Sequence, residues 1–227
     1  CPPRIVRHNL RGVFQQSEAS VMSMINVTLP DGTINEYAEG ITCAEVITDA
    51  LGRKHGCLAA TVDGVEKDMS TKLSSSCSVV GILSTSEEGI HILRHSAAHL
   101  LAQAVTELYP GALPTIGPAI ERGFYYDFKM DPITEADLKA IQKKMQFLAK
   151  QNAVVERIEL NEEDLKSHFE HNPYKMEIIN DKLEDGAGST IYKQGEWYDL
   201  CLGPHVPNLS RLMFVKLTSV SSAYWRG

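Results

Sequence analysis

The chain has 227 residues, 43% hydrophobic and 22% charged, an ordinary globular mixture with length for one or two domains around a buried core. Lys and Arg total 22 against 29 Asp and Glu, a formal net charge of -7, which excludes nucleic-acid binding by bulk positive charge and requires any RNA to meet a local basic patch or another domain. No uninterrupted apolar run is long enough to span a membrane and the first residues lack a secretory apolar segment, while the five cysteines form no CxxC pair, so a soluble cytoplasmic protein with reduced thiols is expected.

Residues 1–23 show no clear period, and Met24 opens strong alternation, so 1–23 is set apart as an N-terminal extension or an appended leader. Two alternating runs around Pro30-Asp31-Gly32 predict a β-hairpin. Thr42 can cap a short helix to about Leu51, and strands are expected over Cys57–Val62 and Val79–Leu83. Hairpin, helix and returning strands over 24–84 suggest a small β-grasp, ubiquitin-like domain. His55, in a loop beside Lys54 and Gly56, reads as solvated, and nothing in this unit looks catalytic. The polar run Ser84–Gly89 marks the boundary with a second domain, 85–227.

That domain opens with the clearest helix in the chain, Ile90–Tyr109, stopped by Pro110-Gly111. At 100° per residue, Leu93, Ala97, Leu100, Leu101, Ala104 and Leu108 form one core-facing stripe. His95 and His99 lie one turn apart on the other side with Ala102 and Thr106, a small, polar face that suggests a cleft. A Gly/Pro-rich stretch, a strand Gly123–Phe128 with Phe124, Tyr126 and Phe128 on one face, and an amphipathic helix Glu135–Gln151 capped by Thr134 are expected next. A strand near 154–160, a helix near 162–170, a loop through Asn172-Pro173-Tyr174-Lys175, a hairpin about Gln194-Gly195 and a last strand over Leu212–Val220 complete an α+β domain with a mostly antiparallel sheet.

His95-x3-His99 and Cys201-x3-His205 are the residues with chemistry. Strand alternation puts Asp199 and Cys201 on one face, and Gly203-Pro204 turns His205 back toward them. Two chemistries fit. Three imidazoles and a thiol can hold Zn²⁺ tetrahedrally, and a water replacing one of them would be acidified, whereas a closed four-ligand site would be structural. Alternatively, histidines with ordinary pKa near 6.5 position and deprotonate water without a metal.

Arg94-His-Ser-Ala-Ala-His-Leu-Leu101, Ile116-Gly-Pro-Ala-Ile-Glu-Arg-Gly-Phe-Tyr-Tyr-Asp127 and Tyr198-Asp-Leu-Cys-Leu-Gly-Pro-His-Val-Pro207 resemble the editing domain of bacterial-type threonyl-tRNA synthetases. The resemblance extends from Met24, where the first unit is similar to that family's TGS domain, to Ser222–Gly227, similar to the junction with the catalytic domain. It implies an N-terminal editing fragment of a threonine–tRNA ligase that hydrolyses seryl-tRNA(Thr), without the aminoacylation and anticodon-binding domains. The family's editing residues fall on His95, His99, Cys201 and His205 as catalytic groups, and on Lys175, Asp199, Tyr126 and Tyr125 as substrate-binding groups. Leu202 stands where relatives carry Arg, so no role is carried to it. The fragment itself is expected to need no cofactor, with zinc an alternative at the His/Cys site; ATP, magnesium and a further zinc belong to the absent catalytic domain, as does the homodimer contact. The expected partner is the serine-bearing acceptor end of tRNA(Thr), with no DNA or membrane. The competing readings are a zinc-dependent, alanyl-type trans-editing hydrolase and a non-catalytic module that grips the tRNA acceptor end.

Overall fold

The computed structural model describes residues 23–184 and 190–222. The expected leader, apart from Ser23, Cys1 within it and the junction motif after Ser222 therefore lie outside the described residues. Two β-strands, β1 (Met24–Thr28) and β2 (Ile34–Ala38), form the expected hairpin, with Leu29 and Thr33 closing the turn through backbone hydrogen bonds. Helix α1 (Cys43–Leu51) starts at Thr42 with a reciprocal cap: Thr42 Oγ1 accepts from the Glu45 amide, and the Glu45 carboxylate accepts from the Thr42 amide at 2.8 Å. Strands β3 (Cys57–Val62), β4 (Val65–Asp68) and β5 (Cys77–Leu83) complete a five-stranded sheet in the order β2-β1-β5-β3-β4. The β1–β5 pair is parallel and the other pairs are antiparallel, which is the β-grasp arrangement. Strand β4 was not expected from Val65-Glu66-Lys67-Asp68, whose charges mask the period. Its pairing with β3, Val62 against Val65 through Ala59 against Asp68, supplies the order that its side chains do not.

Both faces of this sheet are covered. Ile25, Val27, Val46, Ile47, Ala60 and Val79 form one apolar cluster with α1, while Leu58, Ala59 and Ile82 join the cluster around the next helix. That helix, α2 (Glu87–Leu108), begins three residues earlier than its hydrophobic period suggests. Ser86 accepts from the Gly89 amide at 3.1 Å, and Glu87 and Glu88 occupy the positive first turn. A Cβ on Gly89 would stand 1.9 Å from the Leu83 carbonyl oxygen, so glycine allows α2 to leave directly from the end of β5.

Helix α2 is buried on both expected faces. Ala97, Leu100 and Ala104 pack inward as the stripe predicts, but Leu108 at the helix end is exposed. The second face is packed instead of open: Phe124, Tyr126, Phe128 and Trp197 lie against Ala98 and Ala102, whose small side chains leave room for rings. The aromatic strand expected over 123–128 is broken. Two-residue pairings are made by β6 (Leu113–Pro114) with β9 (Phe128–Lys129) and by β7 (Ala119–Ile120) with β8 (Gly123–Phe124). Between them, Asp127 donates its amide to Ile116 and accepts from Thr115, and Tyr126 is turned inward.

Helix α3 (Glu135–Gln151) carries the expected Thr134 cap and ends at left-handed Asn152. Strands β10 (Val155–Glu159), β11 (Thr190–Gln194) and β12 (Trp197–Leu200) form an antiparallel sheet, with helices α4 (Glu162–Phe169) and α5 (Pro173–Glu184) between the first two. The expected loop at 172–175 is in fact the start of α5. Asn172 accepts from the Tyr174 and Lys175 amides, and Pro173 occupies the first helical position, where its missing N–H costs nothing. Leu212–Val220 is not a strand. A 3-10 turn, Leu209–Leu212, precedes irregular chain whose Val215 carbonyl and Leu217 amide bond the Gln142 side chain, which takes the place of a neighbouring strand. No helix among the described residues is long and apolar enough to cross a membrane.

Candidate active site

His95 and His99, on successive turns of α2, meet Cys201 and His205 from the chain just after β12. The four ligand-capable atoms lie within 4.8 Å of one another. Ring centroids are 5.1 Å apart for His95 and His99, 4.5 Å for His95 and His205, and 4.3 Å for His99 and His205. Gly203, in the left-handed region at φ 75°, reverses the chain so that His205 returns against Tyr192, with ring centroids 4.3 Å apart.

Hydrogen bonds tie this cluster together. Val206 donates its amide to Ser96 Oγ at 3.0 Å, and Ser96 Oγ lies 3.1 Å from His205 Nδ1. His205 Nε2 is 3.2 Å from Cys201 Sγ, which also accepts the Gly203 amide at 3.3 Å and lies 2.9 Å from His95 Nε2. Burial keeps the imidazoles neutral. It holds His99 and His205 well below the usual histidine range, with repulsion from the other histidines adding to it. His95 is lowered to about 4, by burial first and then by His91 one turn earlier. Burial pushes the Cys201 thiol up to about 12, so at neutral pH it is a thiol and not a thiolate nucleophile.

Beside this cluster lies a buried charge network. Lys175 Nζ is 2.5 Å from Asp199 Oδ1 and 2.9 Å from the Tyr126 hydroxyl, which donates to Asp199 Oδ2. Both charged side chains are less than 5% exposed. Burial, then the Asp199 charge, raises the Tyr126 phenol well above its ordinary value and keeps it a donor. Lys175 reaches Asp199 because α5 begins immediately before it; sequence pattern alone would leave a lysine after a loop in solvent.

Seven of the eight expected site residues thus gather in one buried region, whereas Tyr125 is 44% exposed beside buried Tyr126. Sequence reasoning missed Ser96, Tyr192 and Asp68. Ser96 had a signal, since it sits beside His95 in the motif; Asp68 had none, because it comes from the other sheet.

Three nitrogens and one sulfur fit zinc by donor type, and neutral imidazoles are the form that binds metal. Tetrahedral zinc with bonds of about 2.0–2.3 Å spaces its ligand atoms roughly 3.3–3.8 Å apart, so the widest separation needs to contract by about 1 Å. His95, His99, Cys201 and His205 would hold such an ion. With water in place of one of the four, the ion would supply Lewis-acid activation of that water.

A family model described as the threonyl and alanyl tRNA synthetase second additional domain matches residues 189–224, the segment that carries Asp199, Cys201 and His205. The chain is 45% identical over 210 residues to the threonine–tRNA ligase of Pelobacter propionicus, covering 91% of this chain and 33% of that relative. It is 44% identical over 206 residues to the threonine–tRNA ligase of Desulfatibacillum aliphaticivorans, covering 90% and 32%, and 43% identical over 209 residues to that of Acholeplasma laidlawii, with the same coverage. The chain therefore spans about a third of the length of the curated relatives it matches. Together these similarities support a threonyl-tRNA synthetase region.

Proposed function

We propose that this chain is the editing region of a threonyl-tRNA synthetase and hydrolyses the ester joining serine to the terminal adenosine of tRNA(Thr). The observation that carries this reading is the convergence of three neutral histidines and a protonated thiol beside the buried Lys175–Asp199–Tyr126 network. The need for such a site is physical. Serine lacks one methyl group of threonine, and a missing methyl discriminates by only ~1–3 kcal/mol, or roughly 10–200-fold, so a second pocket must remove the error. In that pocket Lys175 and Asp199 orient the amino acid and terminal adenosine, and Tyr126 forms a wall. His95, His205 and Cys201 hold and polarise a water, and His99 fixes the pocket. The water oxygen attacks the seryl carbonyl, its proton passes to an imidazole, the ester C–O bond breaks, and the ribose oxygen leaves with a proton, giving serine and tRNA.

In the same reading, 24–84 is a TGS domain, 85–227 the editing domain, and the setting the cytoplasm. ATP-dependent charging, with its magnesium and zinc, and the homodimer contact belong to the remaining two-thirds of the relatives' length. Single-turnover deacylation tests the claim: rapid release of serine from seryl-tRNA(Thr), slow release of threonine from threonyl-tRNA(Thr), and loss of the first in His95→Ala and Cys201→Ala are expected. Release of both amino acids at one rate, or of neither, would overturn it. A second reading is favoured by the four-ligand geometry alone, an alanyl-type zinc hydrolase. Stoichiometric zinc by elemental analysis, with activity lost on chelation and restored by zinc, would select it.

A further inference from the structure

Asp68 ends β4, on the edge of the N-terminal five-stranded sheet, yet it is only 8% exposed. Its carboxylate reaches past its own sheet. Oδ1 accepts the backbone amide of His205 at 3.0 Å, and Oδ2 accepts the Tyr192 hydroxyl at 2.6 Å. Tyr192, buried on β11, in turn packs its ring against His205. Burial, followed by the Asp68 charge, raises the Tyr192 phenol far above its ordinary value, so it remains a donor to that carboxylate. A Cβ on Gly203 would fall 1.8 Å from the Tyr192 hydroxyl oxygen, so the reversal before His205 is fitted against the same pair. His205 is thereby held at three points: its amide by Asp68, its ring face by Tyr192, and Nδ1 by Ser96.

We propose that Asp68 is a positioning residue of the hydrolytic site, through which the N-terminal sheet sets the placement of His205. It acts through His205 and Tyr192, the two residues its carboxylate binds. Its two oxygens fix the backbone of one catalytic residue and the aromatic wall of that residue. The sheet unit, which shows no chemistry in its sequence, is on this account a structural part of the active site and not an independent appendage. A shift of about 1 Å in a positioned catalytic group costs on the order of 10²-fold in rate without altering substrate contacts made elsewhere. This inference rests on the ester-hydrolase reading.

Two measurements on the full chain separate the clamp from that reading. In amide hydrogen exchange, wild-type His205 is expected to be slow, and Asp68→Ala to lose that protection while amides of β11 and β12 keep theirs. In single-turnover deacylation of seryl-tRNA(Thr), Asp68→Ala should lower the plateau rate about 10- to 100-fold with the half-saturating concentration unchanged. Asp68→Asn keeps the shape and one acceptor oxygen and should recover part of the rate; Tyr192→Phe, which removes one of the two bonds, should lose less than Asp68→Ala. A purely structural role would lower melting temperature and leave the plateau rate of folded protein untouched. A folded Asp68→Ala chain with wild-type rate overturns the positioning role. If wild type releases no serine, the hydrolase reading fails instead, and a protected His205 amide in Asp68→Ala then overturns the clamp itself.

Discussion

The N-terminal sheet and the region around α2 use burial for opposite ends. Around α1 the buried residues are Ile, Val, Leu, Met, Ala and Cys, and their contacts explain why that unit folds. In the second region, Ser96, His99, Gln103, Thr115, Asn172, Lys175, Thr190, Gln194, Asp199 and His205 are all buried, although each polar group taken from water costs free energy unless it is bonded. No buried side-chain polar atom lacks a partner among the described residues, so this second interior is a satisfied network. Gln194 shows the cost being met away from the chemistry, donating to Gln103 and to the His99 carbonyl that anchors the helix turn beneath the site. Among the described residues only Asp68 breaks the division, and it does so by crossing to the second region. Buried polar groups thus gather around the candidate site, on top of an apolar core of its own, while the sheet under α1 is buried almost wholly through apolar side chains.

The contrast can be broken most strongly at Lys175. Lys175→Met leaves Asp199 buried with its cation gone and should cost about 3–5 kcal/mol in urea denaturation. Replacing both partners, Lys175→Met with Asp199→Leu, should recover much of that stability and none of the serine release. Next come His95→Ala and Cys201→Ala. Each should slow single-turnover serine release by roughly 10²- to 10⁴-fold while circular dichroism shows an intact fold. The apolar half should respond in the reverse sense: Val27→Ala, in the fully buried core under α1, should lower stability by about 2 kcal/mol and leave the deacylation rate of folded protein unchanged.

Acid provides a gentler probe of the same division. His95, His99 and His205 have folded pKa values below the ordinary 6.5, so between their folded and unfolded values the unfolded chain binds more protons. The stability of the neutral, buried cluster is therefore fully present above about pH 6.5 and is lost progressively as pH falls toward and through 4 for His95. Melting temperature followed from pH 8 to 4 should decline below about 6.5, and a chain with His95, His99 and His205 replaced by Gln should decline less over that window. An equal decline would assign the acid sensitivity to carboxylates elsewhere.

Much of the fold was legible because its signals are local. The Pro30-Asp31-Gly32 turn, the Thr42 and Thr134 caps and the 3.6-residue period of α2 each act within a few residues, and each element is present. Where the local signal was weak, expectation failed. Val65–Asp68 forms a strand because β3 offers it an edge, and 173–184 forms a helix whose apolar residues do not repeat cleanly. Leu212–Val220 looks like a strand but bonds to one glutamine side chain.

The site divides in the same way. The sequence alone was enough to bring the three histidines and the cysteine together as a candidate site, because His95 and His99 share a helix face at four-residue spacing and a glycine after Cys201 can turn His205 back. Strand alternation placed Asp199 on the face of Cys201, and the motif resemblance added Lys175 and Tyr126. The neutral state of these groups depends on the folded packing, since the imidazole and thiol shifts arise first from burial by residues distant in sequence. The same packing brings Asp68, 137 residues before His205, to that residue's amide. A hydrogen bond between two sheets requires both to be placed first, and no period or spacing along the chain encodes the distance between them.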